Sequence, residues 1–306
     1  MPNKVSASPH RGNRSVLWLS VPVAILVPEQ FMQITDAQVH IWKANSPERP
    51  WLAGQEAHRA RPLEAAELIT EMDGAGVSRV VIVPPTLDAD RNDLALDAVR
   101  RYPGRFAVMG RLNLELPGAR EQIAGWKKQP GMLGLRFSFQ RPWLTPLIKE
   151  RRIDWMWEEA QKAGVPIMLL TTHDLAHLIG EVAERFPGLK IVMDHLALPS
   201  GKTDEEAFRD IGKLIELARR PNIAVKASTM PLYTKDSYPF RRIHPYIRQV
   251  FDAFGPKRTF WGSDLSRLHC PYRECVTMFT QEMPWLKGED LEWVMGRGLS
   301  EWIGWP

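Results

Sequence analysis

The chain contains 306 residues, of which 44% are hydrophobic and 25% are charged. This composition is typical of a globular protein and argues against a chain that is disordered throughout. The formal net charge is +4, and the basic residues are dispersed along the chain instead of forming a run. We therefore expect no nucleic-acid binding, since a basic pocket for a small anionic molecule accounts for the excess of positive charge.

Residues 1–31 differ in character from the rest of the chain. Basic residues precede the apolar run VLWLSVPVAILV at 16–27, which is shorter than the roughly 20 residues of a membrane-spanning helix. The run has the layout of an export signal, but no A-x-A-like cleavage site follows it. We interpret 1–31 as an N-terminal extension or a misassigned start, predict no membrane association, and assign 32–306 to one domain.

Only two cysteines, Cys270 and Cys275, are present. They are too few for a disulfide framework, which favours a reducing compartment and predicts a cytoplasmic protein. Cys270 is a conceivable nucleophile, but a buried structural thiol is the simpler interpretation.

From Met32 onward, short apolar segments alternate with amphipathic helical segments. The short segments are rich in β-branched and aromatic residues, which favours strands over buried helices. Eight strands are predicted, at 33–41, 79–84, 106–112, 132–139, 165–171, 189–195, 222–228 and 258–264. Helical segments that end at glycine or proline lie at 61–76, 93–104, 174–188 and 204–221.

Eight strand-then-helix units in succession predict a single (β/α)8 TIM barrel. An open doubly wound sheet is the main alternative. However, no G-x-G-x-x-G follows the first strand and no Walker-type loop occurs in the sequence, so nucleotide binding has no support.

Polar residues are concentrated near the carboxyl ends of the predicted strands, where the active sites of such barrels lie. A lone polar residue in a strand is often a core or helix-facing residue, but a barrel brings all these ends together. The residues concerned are Gln38, His40, Arg111, Arg136, Asp194, His195, Lys226 and Asp264. Their clustering predicts a functional site at this end of the barrel.

The residue types at this end indicate chemistry on an anionic, carbonyl-bearing small molecule. Asp264 is a candidate general base or metal ligand. His40 and His195 are candidates to polarise a carbonyl and stabilise an oxyanion. Fixed positive charge for binding a carboxylate is predicted at Arg111, Arg136 and Lys226.

Weaker candidates surround this set. Trp42 follows the first strand and is predicted to stack on a ring-shaped substrate. Arg267 and His269 lie soon after Asp264, although a solvated loop is the simpler interpretation of both.

Four segments carry a resemblance to a known family. ITDAQVHIW, at 34–42, resembles the Asp-x-His-x-His opening of the amidohydrolase superfamily. FPGLKIVMDHLALP is similar to the family's strand-six histidine motif, and FGPKRTFWGSDL to its strand-eight aspartate motif. Together with the terminal VMGRGLSEWIGW, they resemble the branch of 2-pyrone-4,6-dicarboxylate lactonase, 4-sulfomuconolactone hydrolase and sugar-lactone hydrolases. The resemblance covers 32–306.

The resemblance implies a divalent metal in some members, held by two strand-one histidines, a strand-five histidine and the strand-eight aspartate. Here His40 and Asp264 match, and His195 matches the strand-six histidine. Gln38 replaces the first histidine, and Leu170 stands where the strand-five histidine is expected. A neutral glutamine is a poor ligand for zinc. If zinc or manganese is bound nevertheless, the candidate ligands are His40, His173, His195 and Asp264.

The sequence therefore predicts a metal-independent lactone hydrolase acting in catabolism. Asp264 would activate water, while His195 and His40 polarise the carbonyl and Gln38 acts as a neutral donor. A metal-dependent hydrolase or decarboxylase of the same fold is the first alternative. The second is an inactive barrel that binds a small molecule. Neither the particular lactone nor the oligomeric state follows from the sequence.

Overall fold

Eight parallel strands form one sheet in the order in which they occur in the chain. The computed structural model describes residue 2, residues 32–140 and residues 145–306. The strands are β1 (Thr35–Val39), β2 (Arg79–Ile82), β3 (Phe106–Gly110), β4 (Met132–Ser138), β5 (Ile167–Leu170), β6 (Ile191–Met193), β7 (Ile223–Ser228) and β8 (Thr259–Gly262). The backbone N–H of Asp264 donates to the carbonyl of Gln38 at 2.9 Å, so the end of β8 meets β1. The predicted (β/α)8 barrel is confirmed.

Helices follow the strands along the described part of the chain. They are α1 (Ala65–Ala75), α2 (Asp93–Arg101), α3 (Ala119–Gly125), α4 (Thr145–Lys149), α5 (Asp154–Lys162), α6 (Ala176–Arg185), α7 (Asp204–Phe208), α8 (Ile211–Ile215), α9 (His244–Phe254), α10 (Tyr272–Thr280), α11 (Gly288–Glu292) and α12 (Gly298–Ile303). None of the helices within the described ranges is long and apolar enough to cross a membrane. The predicted extension at 1–31, with its apolar run, lies outside the described residues apart from Pro2.

Local sequence signals account for most helix boundaries but not for all of them. Gly76 closes α1 in the left-handed conformation, with φ of 77°, which only glycine adopts without strain. The helix predicted over 204–221 is instead divided into α7 and α8. The division falls at Asp210, whose ψ of 18° leaves the helical region. The apolar periodicity continues through the break, because Phe208 and Ile211 are both buried.

The barrel interior changes from apolar to polar along the strands. Residues two apart on a strand point to the same side, so Ala224, Lys226 and Ser228 of β7 all face inward. Ala224 belongs to an apolar interior cluster, to which α12 contributes Leu299 and Ile303. Lys226 lies beyond this cluster and is fully buried. The functional end of the barrel therefore begins above an apolar floor.

A buried carboxylate joins the first strand, the last strand and α10. Oδ1 of Asp36 accepts the backbone N–H groups of Gln38 and Ser263, each at 2.9 Å. Oδ2 accepts the hydroxyl of Tyr272 at 2.6 Å and also the hydroxyl of Ser263. Burial raises the pKa of Asp36 to about 6, although these four hydrogen bonds lower it. Asp36 thereby holds together the two strands that carry Gln38 and Asp264.

Replacing Tyr272 with phenylalanine tests this role of Asp36. Removing one donor from a buried carboxylate costs about 1–3 kcal/mol, so Tyr272→Phe is expected to lower the free energy of unfolding by that amount in urea titrations followed by tryptophan fluorescence. Tyr246→Phe is the control. Its ring stacks on Phe208 at 4.4 Å, and loss of its hydroxyl should change stability by less than about 0.5 kcal/mol. Equal losses in both variants would contradict the assigned role.

Candidate active site

Left-handed backbone marks the turns after the last three strands. His195, Thr229 and Asp264 have φ of 51°, 65° and 52°, values that residues other than glycine rarely adopt. Such strain costs about 1–3 kcal/mol per residue and is concentrated at functional sites. The three side chains meet, because Oγ1 of Thr229 lies 2.9 Å from Nδ1 of His195 and donates to Oδ2 of Asp264 at 3.2 Å. The chain is bent at these points in a way that brings polar groups together.

These turns border a cavity of about 460 Å³ at the carboxyl ends of the strands. Six of the residues predicted for the site line it: Gln38, His40, Arg111, Arg136, His195 and Asp264. Arg267, a weaker candidate, also lines the cavity, while His269 does not. The barrel thus brings together residues that are far apart in the sequence.

The hydrogen bonding of His40 leaves its Nε2 atom without a proton. Nδ1 lies 2.6 Å from the carbonyl oxygen of Val83. Because a carbonyl oxygen only accepts, Nδ1 must carry the hydrogen. Burial lowers the pKa of His40 to about 3, and the opposing effect of Asp264 does not reverse this. At neutral pH His40 is therefore a neutral imidazole with an acceptor nitrogen directed toward the cavity.

His195 is arranged in the same way. Its Nδ1 lies 2.8 Å from the hydroxyl oxygen of Ser228 and 2.9 Å from that of Thr229. Since the Thr229 hydroxyl donates to Asp264, its oxygen is available to accept from Nδ1 of His195. Burial lowers the pKa of His195 to about 4. Both imidazoles thus present an unprotonated Nε2, which is a hydrogen-bond acceptor.

Asp264 is the negative charge at the centre of the site. It is fully buried, with Oδ1 3.3 Å from Nε2 of His40 and Oδ2 3.8 Å from Nε2 of His195. Nε of Arg267 lies 3.6 Å from Oδ2. Burial alone would raise the pKa of Asp264, but the two histidines and Arg267 outweigh it and hold the pKa well below its usual range. Asp264 is therefore ionised at neutral pH.

An ionic layer of Arg136, Asp194 and Lys226 lies beneath this centre. Nε of Arg136 is 3.2 Å from Oδ2 of Asp194, and Nζ of Lys226 is 2.7 Å from Oδ1. Burial alone would raise the pKa of Asp194. The ion pairs with Lys226 and Arg136 together outweigh burial and lower the pKa, so the carboxyl group stays ionised. Lys226 also donates to Oε1 of Gln38 at 2.7 Å. The ionic layer is thus connected to the cavity through Gln38.

Three predicted residues occupy other positions. Lys226 is fully enclosed and does not line the cavity, so it lies beneath the predicted substrate position. Trp42 is buried and also does not line the cavity, and its ring packs edge-on against His58 at 6.1 Å. His173 is buried and donates from Nε2 to the carbonyl of Leu196 at 2.9 Å. That bond places its imidazole in the packing around the β6 turn.

His58 is a site residue that the sequence did not indicate. It lines the cavity from the loop between β1 and α1, and its ring lies 5.5 Å from that of His40. Its Nδ1 is 3.0 Å from the hydroxyl oxygen of Ser266. Burial lowers the pKa of His58 to about 4. The loop has no periodicity from which this position could be read, so a barrel assignment alone does not find it.

The donor set fits a divalent metal poorly. Within residues 32–140 and 145–306, no group of three or more His, Cys, Asp or Glu side chains is arranged to hold a metal ion. Leu170 lines the cavity at the end of β5, where a ligand would be needed. Nε2 of Gln38 lies 3.4 Å from Nε2 of His40 and 3.3 Å from Nε2 of His195. An amide N–H₂ group therefore faces the lone pairs that would have to bind the metal.

The fold and this geometry define a barrel with an acid and two imidazoles at its mouth. Residues 35–297 match the Amidohydrolase family model, and the chain belongs to this family. The chain is 31% identical over 248 residues to an L-fucono-1,5-lactonase of Burkholderia ambifaria, covering 76% of this chain and 81% of that protein. It is 27% identical over 208 residues to the 4-sulfomuconolactone hydrolase of Hydrogenophaga intermedia, covering 65% and 63%.

Solved structures confirm the fold. A crystal structure of an amidohydrolase from Burkholderia multivorans with bound zinc superposes with a TM-score of 0.76 at 20% identity. The match covers 90% of this chain and 100% of that one. The resemblance stated from the sequence motifs is thus confirmed at the level of family and fold.

The buried neutral histidines predict loss of stability in acid. Their unfolded-state pKa is about 6.5, so below that pH the unfolded chain binds protons that folded His40 and His195 exclude. Stability is expected to fall by about 1.4 kcal/mol per pH unit for each histidine between pH 6.5 and 5. Asp36 has the opposite effect between about pH 6 and 4. Because its pKa is raised in the folded state, the folded protein binds this proton first and stability increases as the pH falls.

Denaturant unfolding at pH 7.5, 6.5, 5.5 and 5.0 measures this dependence. His40→Asn is expected to reduce the acid slope by about 1.4 kcal/mol per unit, whatever it does to stability at pH 7.5. His177 lies exposed on α6, and His177→Asn should leave the slope unchanged. A wild-type slope in His40→Asn would mean that the imidazole is not held neutral.

Proposed function

We propose that this chain hydrolyses the lactone ring of a small anionic molecule by activating water with Asp264, without a metal cofactor. The proposal rests on the contact between Asp264 and His40. Oδ1 of Asp264 and Nε2 of His40 face each other at 3.3 Å, and both are acceptors at neutral pH. A molecule that satisfies both must donate two hydrogens, and water is the nucleophile that does so.

The relatives give the class of substrate. Two of them are named as hydrolases of lactones, and the family matches over most of the chain. A lactone carbonyl is an activated ester, so a positioned base and fixed positive charge suffice for its hydrolysis. An amide would demand more assistance for its leaving group than the residues described here supply.

The reaction is a two-step acyl transfer to water. Asp264 takes one proton of the water while His40 accepts a hydrogen bond from the other, and the oxygen attacks the lactone carbonyl carbon. The tetrahedral oxyanion then collapses and the ring C–O bond breaks. The proton held by Asp264 passes to the departing ring oxygen, which becomes the hydroxyl group of a hydroxy acid. The new carboxyl group, which keeps the second hydrogen of the water, loses it to solvent. Thr229, which accepts from Nδ1 of His195 and donates to Oδ2 of Asp264, holds the Asp264 carboxylate in place throughout.

Positive charge for the oxyanion and for a substrate anion is assigned to the arginines. Arg111 lines the cavity with its guanidinium anchored to the carbonyl of Pro84 at 2.6 Å and the hydroxyl of Thr86 at 3.0 Å. Arg136 is anchored to Asp194 in the same way. An anchored guanidinium loses little conformational entropy when it binds a carboxylate or sulfonate. This favours an anionic lactone over a neutral sugar lactone.

Asp264→Asn tests the proposed base. We expect kcat to fall by about 10²–10⁴-fold, the usual contribution of a general base, while the circular dichroism spectrum is unchanged. The assay uses a panel of lactones that includes 4-sulfomuconolactone, 2-pyrone-4,6-dicarboxylate and L-fucono-1,5-lactone. Asp290→Asn, at an exposed position on α11, is the control. Unchanged turnover in Asp264→Asn would exclude the mechanism, and binding without turnover by the wild type would favour a binding protein.

Metal content tests the other half of the proposal. Plasma mass spectrometry of protein purified without chelator is expected to find less than about a tenth of an equivalent of zinc or manganese, because a catalytic zinc needs three protein ligands. Lactone turnover should be unaffected by prolonged dialysis against chelator. Near one equivalent of metal, lost together with activity, would instead support a metal-dependent hydrolase or decarboxylase.

A further inference from the structure

Lys226 is a cationic side chain enclosed entirely within the barrel. It is 0% exposed, and its Nζ atom lies 2.7 Å both from Oδ1 of Asp194 and from Oε1 of Gln38. A side chain in this position reaches a substrate only through the residues that it holds. No step of the proposed reaction uses it, so its burial needs another explanation.

The contact with Lys226 determines which way the amide of Gln38 points. An ammonium group only donates hydrogen bonds, so the atom 2.7 Å away must be the amide oxygen. The amide nitrogen is therefore turned to the other side, where it lies 3.4 Å from Nε2 of His40 and 3.3 Å from Nε2 of His195. Its two hydrogens face the two imidazole lone pairs over long distances, so the Nε2 atom of His40 is shared as an acceptor between this amide and the attacking water. The lysine thus reinforces, through one amide, the Nδ1–H positions that the carbonyl of Val83 sets at His40 and that the hydroxyl of Thr229 accepts at His195.

The same arrangement occupies the position of a metal. A divalent ion held by the two imidazoles would need both Nε2 lone pairs, which here face the N–H₂ group of Gln38. It would also approach the positive charge of Lys226, and like charges within a few ångströms in a buried site repel strongly. The lysine and the glutamine therefore disfavour a divalent ion at this place.

We propose that Lys226 is a positioning residue that serves as the fixed cation of this site: through Gln38 it orients His40 and His195, and it keeps divalent metal out. The inference rests on the proposed function, because the same imidazoles there hold the attacking water. It also explains how a barrel of this family can carry glutamine at a position where relatives are expected to carry histidine.

Zinc titration of four proteins tests the exclusion of metal. Wild type, Gln38→His, Lys226→Met and the double variant Gln38→His/Lys226→Met are stripped of metal and titrated with zinc against a chromophoric chelator. We expect the double variant to bind zinc at least about 100-fold more tightly than Gln38→His alone, because the repelling charge is gone. Gln38→His/Lys213→Met, which changes a half-exposed lysine on α8, should bind zinc like Gln38→His. Equal affinity of Gln38→His and the double variant, or tight zinc binding by the wild type, would overturn the proposal.

Histidine tautomers provide a readout that a merely structural lysine would not change. In ¹⁵N-histidine spectra of the wild type, we expect His40 and His195 to be neutral with the hydrogen on Nδ1. Lys226→Met should give a mixture of tautomers at His195, because the amide of Gln38 is then able to rotate and the Nδ1 atom of His195 faces hydroxyls that can donate as well as accept. His40, whose Nδ1–H is also held by the carbonyl of Val83, should stay unchanged. Lys226→Arg, which retains a cation, should keep the wild-type pattern. A hydrogen on Nε2 in the wild type, or an unchanged pattern in Lys226→Met, would refute the orienting role.

The tests remain interpretable if Lys226→Met does not fold or if the protein hydrolyses no lactone. If Lys226→Met does not fold because Oδ1 of Asp194 has lost its cation, Lys226→Met/Asp194→Asn removes both members of that ion pair. The wild-type spectrum needs no variant. Neither readout depends on lactone turnover. A wild type that hydrolyses no lactone but shows the expected tautomers and zinc affinities would disprove the proposed function alone, and the converse would disprove this inference alone.

Discussion

Asp36 joins the first and last strands of the barrel through a carboxylate that accepts four hydrogen bonds. The two strand ends that it connects carry Gln38 and His40 on one side and Asp264 on the other. The 3.3 Å between His40 and Asp264 is therefore set by the closure of the sheet, and not by flexible loops. Sites on rigid elements keep their geometry better than sites on loops, and this site has Asp264 and His40 just past the ends of adjoining strands.

The charged residues inside the barrel form successive layers along its axis. An apolar floor is followed by the ionic layer of Arg136, Asp194 and Lys226, and then by the neutral imidazoles and the ionised Asp264. Each buried charge has an opposite charge or a fixed dipole beside it, as burial requires. The amidohydrolase of Burkholderia multivorans that superposes on this barrel was crystallised with bound zinc. In the present chain the charge beneath the imidazoles belongs to the polypeptide.

Period-two alternation made most of the site predictable from the sequence, because it gives the direction of a side chain on a strand. It does not give the height along the barrel axis. Lys226 faces inward as expected, but it is enclosed beneath the cavity, whereas Arg136 of the same ionic layer reaches the cavity lining. Trp42 follows His40 by two residues, yet β1 ends at Val39 and the alternation no longer applies. His58 could not be found because its loop has no period, and the proton positions depend on contacts such as that between His40 and Val83.

The ionic layer also links the two halves of the barrel. Arg136 comes from β4, whereas Asp194 and Lys226 come from β6 and β7. An isolated first half would bury a guanidinium without its carboxylate, and an isolated second half would lack both Arg136 and the amide oxygen of Gln38 that accepts from Lys226. Each half would therefore expose or neutralise its charges until the other half arrived. Such a dependence favours cooperative folding of the whole barrel over the accumulation of a stable half-barrel intermediate.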